Sequence, residues 1–195
     1  MKNNTKQTLK IYWQHAVKYP WLFLICIIAD ILASLSTVII PLYFREFFDV
    51  LSIGAKNASA VNELIRILVF IGLFLFLEFF FWRIAAWVNI PLETKVMANL
   101  SRTCFNYMHK HSFAYFNNNF VGSLVKRVNW FIRAFESLAD KIVFNLLPTL
   151  TILIFAISVL IIKNFTLGMI MLSWFVIFMV VNALLTNYKL KFDIA

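Results

Sequence analysis

Acidic side chains are scarce in this chain, nine against eighteen basic ones, and charged residues make up only 14% of its 195 residues. Soluble domains carry roughly 25%, so the chain lacks the charge to cover itself against water. Glycine is just as thinly spread. The four glycines are scattered and no G-x-x-x-x-G-K-[ST] occurs, which excludes nucleotide binding through a phosphate loop. With only four prolines, helices should run long. The two cysteines, Cys26 in an apolar run and Cys104 in a polar one, offer no metal-ligand spacing and argue against a disulfide. No metal and no cofactor of the chain's own is expected. His15, His109 and His111 form no catalytic set and are expected at an interface or in water. No catalytic residue is expected either.

What is present is apolar. Hydrophobic residues make up 62% of the chain, phenylalanine alone contributing 22 copies. Residues 1–19 carry Lys2, Lys6, Lys10 and Lys18 and no acid. Leu9, Trp13, Ala16 and Val17 recur at helical spacing, which predicts an amphipathic leader helix in the membrane interface. Pro20 suits the first turn of a new helix. The first apolar run begins after this polar lead and is too long for the core of a cleavable signal.

About 20 apolar residues cross a bilayer, and four runs qualify: residues 21–44, 67–90, 142–162 and 165–188. Residues 52–62 read as a short outer loop and Lys163-Asn164 as a tight outer turn. Pro91 is expected to kink the second helix without ending it, because no further breaker occurs up to Met108. Val96, Leu100, Thr103 and Tyr107 would then line one face of an extension reaching roughly 30 Å beyond the bilayer. The fold class expected is an all-α integral membrane protein with four transmembrane helices and long cytosolic extensions in the loop 91–141.

Orientation follows from the basic residues. Lys2, Lys6, Lys10, Lys18, Lys95, Arg102, Lys110, Lys126, Arg127, Arg133, Lys141, Lys189 and Lys191 fall on one side, and only Arg45, Lys56, Arg66 and Lys163 on the other. The positive-inside rule puts both termini and the central loop in the cytosol. Basic residues that flank apolar runs, without clustering on a polar domain, also argue against a nucleic-acid partner. Membrane lipid is the expected surrounding.

Three ionisable residues fall inside the spans: Asp30, Glu78 and Arg83. Such groups are expensive in lipid and face a bundle interior or a cavity. Asp30 lies roughly 14 Å in from one edge and Arg83 about 10 Å in on the returning helix. Similar depths predict an Asp30–Arg83 bridge, or alternatively a polar wall on a substrate path.

The chain is organised around its one long polar segment between two apolar hairpins, KHSFAYFNNNFVGSLVKR, from Lys110 to Arg127. That arrangement resembles the first part of the transmembrane domain of ATP-binding cassette (ABC) exporters of the six-helix type 1 class. Pro41 through Asp49 resembles the family's proline and aspartate at the outer end of helix one. Leu100, Arg102 and Phe105 resemble its residues on the inner extension of helix two. Tyr115-Phe116-Asn117, then Gly122-Ser123-Leu124 with Arg127, resembles its aromatic tip and following Gly-Asp-Leu and arginine. Ser123 stands where that family usually has aspartate, as does Trp130 near a second one.

The resemblance implies that residues 112–119 form a coupling helix docking on a nucleotide-binding domain, with Ser112, Phe113, Tyr115, Phe116, Asn117, Gly122 and Arg127 as its contacts. It implies an ATP-driven exporter moving a lipidic, amphipathic or peptide substrate by alternating access, working with a second transmembrane half, in a bacterial inner membrane. ATP and Mg would sit on the nucleotide-binding domain. Six spans are usual in the family and four are present, so residues 20–195 are expected to be an incomplete domain. The alternative is a non-transporting four-helix membrane scaffold or assembly protein.

Overall fold

The computed structural model describes residues 2–53, 58–111 and 121–193. The elements are helices: α1 (Lys2–Ala16), α2 (Pro20–Ile53), α3 (Ala58–His109), α4 (Val121–Lys141), a π-helical stretch (Ile142–Leu146), α5 (Leu147–Lys163) and α6 (Phe165–Asp193). Four helical segments are long and apolar enough to cross a membrane. The expected all-α membrane fold is therefore the one observed. The helices overrun the apolar runs, however. Pro41 lies inside α2, which continues through Arg45, Glu46 and Asp49, where Arg45 and Asp49 pair at 3.5 Å across one turn. The outer loop expected over residues 52–62 shrinks accordingly, to residues 54–57, which lie outside the described residues.

The chain divides into two units, Met1–Thr149 and Leu150–Ala195. In the first, α2 and α3 pack against each other along their length. The buried face of α2 is built mostly from small residues, Cys26, Ala29, Ala33, Ser34 and Ser36, with Asp30 and Ile40 among them. Lipid tails are as apolar as leucine, so spanning helices associate through close backbone fit, which small residues permit. The hydroxyls of Ser36 and Thr37 donate to the carbonyls of Leu32 and Ala33 one turn back, so neither is orphaned. At the far end Tyr43 stacks on both Phe70 and Phe74, with ring centroids 5.5 Å apart in each case.

Pro91 does not end α3, which runs on to His109. Beyond it a different kind of packing takes over. Val96 and Leu100 of α3 are wholly buried and meet Tyr12 of α1 and Phe135 of α4 in a large-residue core. Thus α3 and α4 form a two-helix stalk clamped by α1. Tyr107, expected on the same lining face, is exposed instead and meets His111 edge-on.

The stretch Ile142–Leu146 has a local cause. Pro148 lacks an N–H and its ring crowds the carbonyl four residues back. The wider turn avoids that clash, and Leu147 N–H bonds to the carbonyl of Ile142. Trp82 of α3 packs on Phe144 of this stretch, 5.7 Å between rings.

In the second unit the turn between α5 and α6 is a single residue, Asn164. Its side-chain oxygen accepts from the N–H groups of Thr166 and Leu167 at 3.1 and 3.3 Å and so caps α6. Gly168 is buried against Ile161; a Cβ there would lie 2.5 Å from the Ile161 side chain and 2.8 Å from its backbone. Past this contact α6 exposes apolar side chains on every side, from Ile170 through Trp174 and Ile177 to Leu184.

Candidate functional site

Ser112, Phe113, Tyr115, Phe116 and Asn117 lie outside the described residues. The two remaining members of the expected coupling set are on α4. Gly122 sits in its first turn, inside the helix, and Arg127 is exposed on the next turn but one. In the sequence, α3 closes at His109 and α4 opens at Val121.

The intramembrane charges do not pair as expected. Asp30 is 3% exposed and its Oδ2 has no hydrogen-bond partner. Arg83 is exposed, and its guanidinium lies over the Trp87 ring, 5.8 Å from the centroid. Among the described residues the ion pair formed is Arg45–Asp49. The reason is helical phase. Asp30 shares a face with Cys26 and Ala33, toward α3. Arg83 is two residues from buried Ala85, about 200° round a helix of 3.6 residues per turn, and so points away from α2. Glu78, two turns from both Ile71 and Ala85, stays near the buried face and is half-buried.

The residues that hold the stalk to the leader went unread in the sequence. Tyr12 is 6% exposed; its hydroxyl donates to the carbonyl of Phe131 at 2.7 Å and its ring meets Phe131 and Phe135. Burial, with Cys104 beside it, raises its phenol above the ordinary tyrosine range. His15, expected at an interface or in water, packs inside instead. It is buried, with Nδ1 at 2.8 Å from the Ile11 carbonyl and Nε2 at 3.0 Å from the Thr103 hydroxyl. Asn99 Nδ2 donates to the Tyr19 hydroxyl at 2.6 Å, and Lys95 lies over the Tyr19 ring. The signal was available: Tyr12, His15 and Tyr19 fall at helical spacing beside Trp13, which itself is 62% exposed.

Where the stalk meets the bilayer-crossing part, a polar cluster interrupts the apolar packing. Asn89 is 2% exposed and bonds through its side chain to Glu93, which also shares a hydrogen bond with Asp140 and faces Glu136, both of α4. Neither Asn89 Oδ1 nor Glu93 Oε1 has a hydrogen-bond partner. Among the described residues no group of His, Cys, Asp and Glu is placed to hold a metal ion.

Comparison with known proteins bears on this architecture directly. The family model for the ABC transporter transmembrane region matches residues 23–193. No curated protein matches the chain. The match runs through the first hairpin, the stalk and the second hairpin without regard to which of them carries the packed core, and by it the chain belongs to the ABC transporter transmembrane family.

Proposed function

We propose that this chain is the membrane-crossing part of an ATP-driven exporter, moving a lipidic, amphipathic or peptide substrate by alternating access. The observation that supports this reading best is the stalk. A continuous α3 carries past Pro91 to His109, and α4 returns from Val121, the two sharing a core of Val96, Leu100 and Phe135. A scaffold would gain little from a stiff, separately packed two-helix extension; a transporter needs one to link a membrane segment to a motor in water. The segment at its end carries Phe113, Tyr115 and Phe116, aromatic anchors of the kind that dominate protein interfaces. That segment docks on a nucleotide-binding domain, which holds the ATP and Mg that this chain has no phosphate loop to bind. A second transmembrane half completes the assembly. The excess of Lys and Arg on the stalk side supports a reading with the stalk and both ends of the chain on the cytosolic side of the membrane, which we take to be a bacterial inner membrane.

The test is Phe116→Ala in the assembled transporter, beside the lipid-facing control Phe80→Ala. ATPase rate with and without substrate is measured together with transport. Phe116→Ala should insert normally and lose the coupling between stimulated ATPase and transport, while Phe80→Ala keeps both. Wild-type coupling in Phe116→Ala would reduce the aromatics to packing residues.

A further inference from the structure

We propose that the cavity at the root of the stalk binds a protonated amine carried on a single apolar body, of the alkylammonium type. The cavity measures about 350 Å³, is lined by α1, α2, α3, α4 and the π-helical stretch, and is partly open. Its walls are apolar, with Leu9, Phe23, Val96, Phe135 and Ile142 among them. It borders the large-residue core of the stalk. Small-molecule pockets run from roughly 300 to 1,000 Å³. This cavity falls at the low end, room for one chain or one ring system and too little for a two-chain lipid.

Its polar atoms choose the ligand's head. Asn89 and Glu93 both line the cavity, and the atoms without partners, Asn89 Oδ1 and Glu93 Oε1, are both acceptors. Turning the Asn89 amide over does not help, because its oxygen would then face the Glu93 carboxyl it now bonds. A buried acceptor without a donor is costly, so the occupant must bring N–H or O–H groups. Behind Glu93 stand Glu136 and Asp140, and Asp140 shares a side-chain hydrogen bond, and so one proton, with Glu93. Three carboxyl groups favour a cationic donor, and an ammonium supplies three N–H donors and no acceptor. They repel a phosphate-bearing headgroup. Arg133 and Lys141 share the adjoining groove with Glu136 and Asp140, but among the described residues neither forms an ion pair with any of the three carboxyls. Trp13, largely exposed at the cavity edge, adds an aromatic face suited to a passing cation.

The probe is dodecylamine bearing a diazirine, applied to the full chain in phosphatidylcholine nanodiscs, with labelled peptides mapped by mass spectrometry. Labels are expected on cavity residues such as Trp13, Ala139 and Val143, displaced by plain dodecylamine at concentrations at least tenfold below those of dodecanol. Glu93→Gln should weaken displacement about tenfold. Ala16→Phe, which fills the space from α1, should abolish the cavity labels and leave those on α6 unchanged. Equal competition by amine and alcohol, unaltered by Glu93→Gln, would make the cavity an unselective apolar gap. Labels on α6 with none in the wild-type cavity would mean that it holds water only. Should Glu93→Gln fail to fold, the alcohol comparison on the wild-type chain and Ala16→Phe still decide.

Discussion

The first hairpin and the second are built from similarly apolar residues and treat them in opposite ways. α2 and α3 bury mostly small side chains, with Ile40, Ile67 and Ile71 toward the far end, and hand over, past Pro91, to a core where Val96 and Leu100 are fully buried. α6, equally apolar, buries Gly168 near its start and leaves Trp174, Ile177 and Leu184 exposed. The contrast separates two driving forces. In water, apolar surface is pushed together by the solvent, and the stalk has a large-residue core. In lipid that push is absent between helices, and only shape holds them. A helix apolar on all sides belongs in lipid or among other helices.

The sharpest test of this contrast uses one substitution in two places. Leu100→Ala should lower stability by about 2–5 kcal/mol, read as a lowered unfolding temperature of the chain in nanodiscs. Leu184→Ala, from an exposed position on α6, should change it by no more than about 0.5 kcal/mol. Equal losses would erase the distinction between the hairpins.

The next effect concerns the one place where the second hairpin packs closely. Gly168→Ala must displace Ile161 and should destabilise by about 1–3 kcal/mol. Gly72, with nothing within 4 Å of an added Cβ, is its counterpart on α3. Gly72→Ala should stabilise by up to about 1 kcal/mol through helix propensity alone. Thermal unfolding of both variants under one set of conditions checks the pair; opposite signs are the expected outcome.

The smallest effect falls on the leader. Tyr12→Phe keeps the ring and removes the donor to the Phe131 carbonyl, for a loss of about 0.5–1.5 kcal/mol. Hydrogen exchange should speed up in α1 while the α2–α3 interface stays protected. Unchanged exchange in α1 would show that the rings alone hold the leader to the stalk.

Much of this arrangement was legible in the chain. Four apolar runs, few breakers and one-sided Lys and Arg were enough for the helices, and the spacing of Val96 and Leu100 marked the stalk's inner face, whereas Thr103, expected with them, is exposed. Depth could be counted from helix ends, but depth does not fix direction. Asp30 and Arg83 come out at similar levels on faces that do not meet, and only the phase of Ala85 and Asn89 shows it. Tyr12 and His15 were hidden by their own chemistry, since an aromatic or an imidazole suits a membrane interface as well as a core. Asn89 and Glu93 drew no notice because a single amide and a single acid beside Pro91 read as the ordinary end of a span. The π-helical stretch needed Pro148 to be read for the carbonyl it displaces four residues earlier.

The uninterrupted passage of α3 through Pro91 has a mechanical consequence. From Pro91 to His109 the helix is about 28 Å long at 1.5 Å per residue. A tilt of about 10° at the proline would shift atoms one turn away by roughly 1 Å, within what side-chain repacking absorbs, and the far end by roughly 5 Å, about one helical pitch. Because Val96, Leu100 and Phe135 bind α4 to α3, both helices of the stalk would swing together. An adjustment too small to register inside the bilayer would arrive at the end of the stalk as a full step.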